Sequence, residues 1–138
     1  MNGTERVKLS KVIDKMQLTN LTPDVDTSGI WLHIPEVNRP ALQLTGFYNQ
    51  FDNDRIQIIG NVEYSYLSSL SETDRYERYM QLLSSNIPCL VFCRDLEPEA
   101  KVIELATKYK IPILKSKAAT SAFMAEVIRW LNVQLAPC

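Results

Sequence analysis

Four short apolar runs, beginning near Ile30, Ile56, Cys89 and Ile113, are separated by stretches with helical spacing, and this alternation leaves the chain few architectures. The clearest unit lies late in the chain. Ile87-Pro88 leads into Cys89 to Cys93, Ile111-Pro112 leads into Ile113 to Lys115, and a helical segment lies between them. Each proline can stand at the first residue of a strand, where its missing N–H costs little. Strand, helix and strand with apolar cores predict two parallel strands joined by a right-handed crossover. Extended along the chain, the same logic predicts a three-layer α/β/α domain, its central sheet mostly parallel and of about four to five strands.

The helices are read from their apolar spacing. Leu9, Val12, Ile13 and Met16 recur at i, i+3, i+4 and i+7, so one face of a leading helix packs inward and Lys8, Lys11, Asp14 and Lys15 are solvated. Turn residues at Pro23-Asp24 and Asp26 to Gly29 separate it from a strand Ile30 to Ile34. There Ile30, Leu32 and Ile34 share one face and Trp31 and His33 the other. Val62 to Leu70 is predicted helical, and Ser71, with Asp74 three residues on, caps a helix whose inward face is Tyr76, Tyr79, Met80 and Leu83. A helix starting at Pro98, with Glu99 in its first turn, buries Val102, Ile103, Ala106 and Tyr109. The last helix is capped by Thr120 or Ser121, buries Met124, Val127, Ile128, Leu131 and Leu135, and ends at Pro137.

The stretch from Glu36 to Leu67 carries the candidates for function. Arg39-Pro40 starts a turn or short helix that Thr45-Gly46 ends. A polar loop, Asn49 to Asp54, then feeds the buried strand at Ile56, and Gly60-Asn61 turns into the next helix. Asn38, Arg39, Thr45, Arg55 and Glu63 are the residues here able to hold a ligand or an interface, since Arg39 and Arg55 could each fork onto a carboxylate or phosphate. The alternative is that the arginines pair with Glu36, Asp52, Asp54 or Glu63 and fix the loop.

Much is excluded by counting. The formal charge of the 138 residues is −1, which leaves no basic field for nucleic acid. No apolar run reaches the ~18 residues of a spanning helix, so no membrane partner is expected, and Met1 to Met16 is too polar for a secretory signal, which predicts a cytoplasmic protein. Three cysteines, an odd number, fit a reducing compartment. Cys89 and Cys93 lie on one face of a strand, roughly 13 Å apart, too far for a disulfide and read as small buried hydrophobes. Cys138 is terminal and expected to be exposed. Asn2-Gly3-Thr4 and Asn20-Leu21-Thr22 match the glycosylation sequon but carry no meaning without a signal peptide. His33 is the only histidine, which removes two-histidine metal sites and leaves one residue for any Ser-His or Cys-His pair. Its place beside Trp31 on a strand favours a half-exposed neighbour over a catalyst. Gly3, Gly29, Gly46 and Gly60 are the only glycines, and no two are spaced as a P-loop requires. No catalytic residue and no metal or cofactor site is predicted in this chain.

Four segments nevertheless resemble a known signature: Glu36 to Pro40, Leu42 to Phe47, Arg55 to Gly60, and Glu63 to Leu67. They are similar to the N-terminal domain of HPr kinase/phosphorylase, the bifunctional bacterial enzyme that phosphorylates and dephosphorylates a serine of the phosphocarrier HPr. The likeness runs along nearly all 138 residues, with Ala41 and Asp95 standing where the family usually carries glycine. The resemblance implies a fold similar to Mur ligase N-terminal domains, and a single non-catalytic domain, 1–138, that ends about where a C-terminal P-loop kinase domain would begin. ATP and magnesium are implied for that absent domain. The partners implied are the kinase domain, HPr and further copies of the chain, hexameric in the parent, in a regulatory or assembly role within carbon catabolite repression. Read from residues alone, the alternative is a stand-alone sensor of a small anionic metabolite or nucleotide-sugar.

Overall fold

A computed structural model of the protein describes residues 5–137. The Asn2-Gly3-Thr4 sequon and Cys138 lie outside the described residues. Five strands form the central sheet in the order β2 (Thr19–Asn20), β7 (Ile113–Lys115), β6 (Leu90–Phe92), β5 (Ile56–Ile59) and β4 (Val37–Asn38). The last four are parallel, and β2 closes one edge antiparallel to β7. The expected α/β architecture with a mostly parallel sheet is what the chain adopts.

The parallel strands follow one another in chain order, so every crossover steps the same way. Right-handed crossovers then place all their helices on one face. These are α2 (Ala41–Leu44), α3 (Asn61–Ser69), α4 (Glu72–Leu83) and α5 (Ala100–Tyr109). They bury Leu44, Leu67, Tyr79, Leu82, Leu83, Val102 and Leu105 against Ile59, Leu90, Phe92 and Ile113. The opposite face is covered by α1 (Leu9–Lys15) and α6 (Thr120–Gln134). Their Leu9, Val12, Phe123, Val127 and Leu131 pack on Ile56, Ile58, Cys89, Val91, Cys93 and Leu114. Alternation along a strand explains the division, since Ile58 and Ile59, or Val91 and Phe92, point to opposite layers.

Several local expectations are corrected. The run at Ile30 forms only a two-residue strand, β3 (Trp31–Leu32), which pairs antiparallel with β1 (Val7–Lys8) outside the main sheet. Its place in the sheet is taken by Val37–Asn38, too short to show a period. Leu32 is buried, while His33 is exposed and borders a depression of about 410 Å³ that Trp31, Asp54 and Lys110 also line. In α4 the expected Tyr79 and Leu83 are buried, but Leu82 joins them in place of Met80, which is 36% exposed. Helix α5 begins at Ala100, with Glu99 as its cap residue and Pro98 outside it. Glu99 is drawn away by Arg75, whose Nε and Nη2 donate to its two oxygens at 2.7 and 3.2 Å. The cap of α6 is Ala119, with Thr120 already helical, and Phe123 is its largest buried side chain. Phe123 reaches the core because it lies four residues before Val127 and eight before Leu131, on the same helix face.

Phe123 is 1% exposed. Its replacement by alanine is expected to lower unfolding free energy by about 3–5 kcal/mol, against about 1–2 kcal/mol for Met124→Ala on the partly buried flank, as urea denaturation would measure. Both described thiols are fully buried, and burial pushes Cys89 up to about 12 and Cys93 up to about 11. In a Cys138→Ser chain at pH 8, neither should react with a thiol reagent until denaturant opens the core.

Candidate functional site

The carboxyl ends of β4, β5, β6 and β7 form one rim, because parallel strands end together. Onto that rim the chain delivers Arg39 after β4, Gly60 after β5, Cys93 to Asp95 after β6, and Ser116 to Thr120 after β7. The central feature is Glu63, in the first turn of α3 and only 3% exposed. Its carboxylate accepts Arg39 Nε at 3.0 Å and Nη2 at 2.7 Å, and the Gly60 N–H at 2.9 Å. The acid thus caps α3 and, through the fork on Arg39, ties β4 to β5.

Gly60 is required by space. A Cβ there would lie 2.6 Å from Arg39 Nη2 and 2.8 Å from Thr120 Oγ1, closer than side-chain atoms can approach. The glycine lets α3 and α6 begin side by side. Beneath the rim, Asn38 Nδ2 donates to Gln57 Oε1 at 2.7 Å, while Gln57 Nε2 donates to the carbonyls of Asp52 and Arg55. The fully buried Gln57 fixes the loop that enters β5, so a buried amide stands in an apolar strand with its hydrogen bonds made.

Of the five residues singled out from the sequence, Arg39 and Glu63 meet at this rim, and Asn38 bonds Gln57 beneath it. Arg55 does not reach the rim. It precedes β5, at the opposite end of the strand, and its Nη2 lies 3.0 Å from Glu36 and 3.6 Å from Asp52. The two arginines are therefore separated by the length of β5, roughly 13 Å, and each is turned to its own carboxylate. Thr45 closes α2, its hydroxyl donating to the Leu42 carbonyl at 2.6 Å. Sequence reasoning missed Gln57, whose signal was a lone polar residue in Ile56-Gln57-Ile58-Ile59, and missed Arg94 and Lys117, which face each other only through the fold.

The turn after β6 is bound to the rim. Arg94 and Asp95 both have positive φ, 58° and 57°, and their N–H groups donate to the carbonyls of Ala118 and Ser116 at 2.8 Å. Lys115 holds Glu97 at 2.8 Å and Asp95 at 3.3 Å, and these bonds, Glu97 first, raise its ammonium above the ordinary lysine value. A second depression of about 310 Å³ lies among Tyr64, Ser68, Arg75, Tyr79 and Glu99. Its acid and base pair with each other at 2.7 Å, and burial pushes the Tyr79 phenol up. Among the described residues, no group of three His, Cys, Asp or Glu could hold a metal ion. None of the described helices is long and apolar enough to cross a membrane.

Removing Arg39 leaves the Glu63 carboxylate buried without its partner. Arg39→Met is expected to cost about 2–3 kcal/mol, below the ~3–5 kcal/mol of fully buried pairs because the Arg39 side chain is 35% exposed. The double variant Arg39→Met, Glu63→Met should recover part of that loss, a coupling that a double-mutant cycle in urea would read.

Residues 7–131 match the family described as HPr Serine kinase N terminus. Among curated relatives, the chain is 49% identical over 131 residues to the HPr kinase/phosphorylase of Lachnoclostridium phytofermentans, covering 95% of this chain and 42% of that protein. It is 33% identical over 132 residues to that of Clostridium acetobutylicum, covering 96% and 43%. The chain thus spans less than half the length of these relatives. A solved structure with a similar fold comprises the CBS and DRTGG domains of the regulatory region of a Clostridium perfringens pyrophosphatase, with TM-score 0.57, 18% identity, and coverage of 94% of this chain and 47% of that one. At that identity the likeness concerns the fold. On the family match and the identities together, the chain belongs to the N-terminal domain family of HPr kinase/phosphorylases.

Proposed function

We propose that this chain is the non-catalytic regulatory or assembly domain of a cytoplasmic HPr kinase/phosphorylase serving carbon catabolite repression, working with a C-terminal P-loop kinase domain. The observation that carries the reading is the match of nearly the whole chain to less than half of each relative, within a family defined as the N terminus of the kinase. Phosphoryl transfer needs a glycine-rich phosphate cradle, a lysine and magnesium ligands. The four glycines here are spaced for none of that, so ATP and magnesium are assigned to the other domain. The rim chemistry agrees, since Glu63 and Arg39 neutralise each other and the thiols are held protonated. A contact role is supported by Leu42, Phe47 and Val62, which are 62%, 49% and 66% exposed on and beside α2 and at the start of α3. The kinase domain, HPr and other copies of the chain are the partners this reading names.

The test separates the two halves of the parent protein. Kinase domain alone and kinase domain with this chain added in trans are compared for HPr phosphorylation rate and for assembly mass by light scattering. The expected result is association in the micromolar range or better, with a change in rate or assembly that Leu42→Asp with Phe47→Asp removes. Identical rate, assembly and substrate range in both samples would overturn the regulatory and assembly roles.

A further inference from the structure

The crossover helices enclose a depression that shares no residue with the rim. Its volume of about 310 Å³ is at the small end of the ~300–1,000 Å³ of ligand sites, and it is lined by Tyr64, Leu67 and Ser68 of α3, Arg75 and Tyr79 of α4, and Glu99 at the start of α5. Tyr79 is 3% exposed, and its hydroxyl has no hydrogen-bond partner among the described residues. The side-chain atoms there that are both sealed from solvent and unpartnered are Tyr48 Oη, Arg55 Nε, Arg78 Nε and Thr120 Oγ1. The Tyr79 oxygen is neither bonded nor sealed, so it opens onto the depression. The groups whose charge acts on its phenol are Tyr64, Glu99, Arg75 and Tyr76, all at this cleft. Phenylalanine would fill the same core space, and the tyrosine adds a donor and an acceptor at the floor of the cleft.

A second observation comes from the walls. A guanidinium carries five N–H bonds; those of Arg75 go from Nε and Nη2 to Glu99 and from Nη1 to the Leu70 carbonyl, which leaves two free. A carboxylate has about four acceptor positions, and Glu99 receives Arg75 twice and the Tyr76 hydroxyl once, which leaves one. Charge at the cleft is balanced. Glu99 answers Arg75, and burial keeps the Tyr79 phenol protonated. An anion entering here would meet the carboxylate and a cation the guanidinium, and neither would find an unspent countercharge to offset its loss of water. The rest of the wall is the apolar Leu67 and the ring of Tyr64.

We propose that this cleft binds an uncharged polyhydroxy ligand, a neutral monosaccharide or cyclitol. Each hydroxyl of such a molecule both donates and accepts, so neighbouring hydroxyls can give to Glu99 and take from Arg75, while another pairs with Tyr79 or Ser68. The C–H face of the ring lies against Leu67 and Tyr64. A nucleobase would need a free aromatic face, and Arg75 already covers that of Tyr76 at 5.3 Å from its centre. The site goes beyond the assembly role and uses none of Leu42, Phe47 and Val62.

The test is a titration of the ¹⁵N-labelled chain with glucose, galactose, mannose and myo-inositol, with glucose 6-phosphate and adenosine in parallel arms. At least one of the four neutral polyols is expected to move the Ser68, Arg75 and Tyr79 amide resonances saturably, with an apparent Kd in the millimolar range or better. Tyr79→Phe should weaken that Kd about fivefold, the scale of one hydrogen bond, at an unchanged or higher melting temperature. Ser68→Ala, at an exposed position, should weaken it about threefold and decides the matter should Tyr79→Phe melt lower. Glu99→Gln, which leaves Arg75 without its countercharge, should weaken the polyol and tighten glucose 6-phosphate. No saturable movement with any of the four polyols would overturn the site. So would unchanged affinity in both Tyr79→Phe and Ser68→Ala, or tighter binding of glucose 6-phosphate or adenosine by the unmodified chain. The titration involves no kinase domain, so its outcome is read apart from that of the assembly test.

Discussion

The Glu63 carboxylate is the point on which the upper half of the molecule depends. It is charged, nearly inaccessible to water, and acceptable there only because a guanidinium fork and a backbone N–H share its oxygens. Those bonds connect three pieces of chain: the end of β4, the end of β5 and the start of α3. They add to the ladder, the Asn38–Gln57 bond and the Glu36–Arg55 pair in holding the two-residue edge strand β4 against β5. Gly60 permits this closeness, and the same lack of a side chain lets α6 start beside α3.

A sheet whose parallel strands run in sequence order puts its crossover helices on one face and leaves the other for whatever precedes and follows. Here α1 and α6 fill that second face. The arrangement makes the rim asymmetric: the α3 end is closed by an internal ion pair, while the α6 end, arriving from the opposite layer, meets Gly60 and the turn after β6. The start of α6 and the side chains of Arg94 and Lys117 are thereby brought to one end of the rim.

Much of this was legible from residue pattern. The βαβ unit from Cys89 to Lys115, the buried strand at Ile56, the Ser71 cap with its bond from the Asp74 N–H at 3.2 Å, and the positive φ of 99° at Gly46 follow from apolar spacing, capping chemistry and turn residues. What failed were short or competing signals. Ile30 to Ile34 alternates well, yet it pairs with Val7–Lys8 rather than entering the sheet, because strand membership is settled by the neighbour available. Glu99 has the place of a helix cap but gives its carboxylate to Arg75. Arg39 and Arg55 flank one segment in sequence and stand at opposite ends of one strand in space.

The sequence by itself determined the class of fold, the family, and the absence of a P-loop within these residues, because periodicity, glycine spacing and motif identity are local properties. Only the tertiary structure decided which cations are free. Arg39, Arg55, Arg94 and Lys117 are alike on paper, and each one's state depends on whether a carboxylate distant in sequence comes within about 4 Å. For Arg39 that partner is Glu63, and for Arg55 it is Glu36. Among the described residues no acid comes within ion-pair distance of Arg94 or Lys117, which border one depression with Ala119, and no local pattern encodes that.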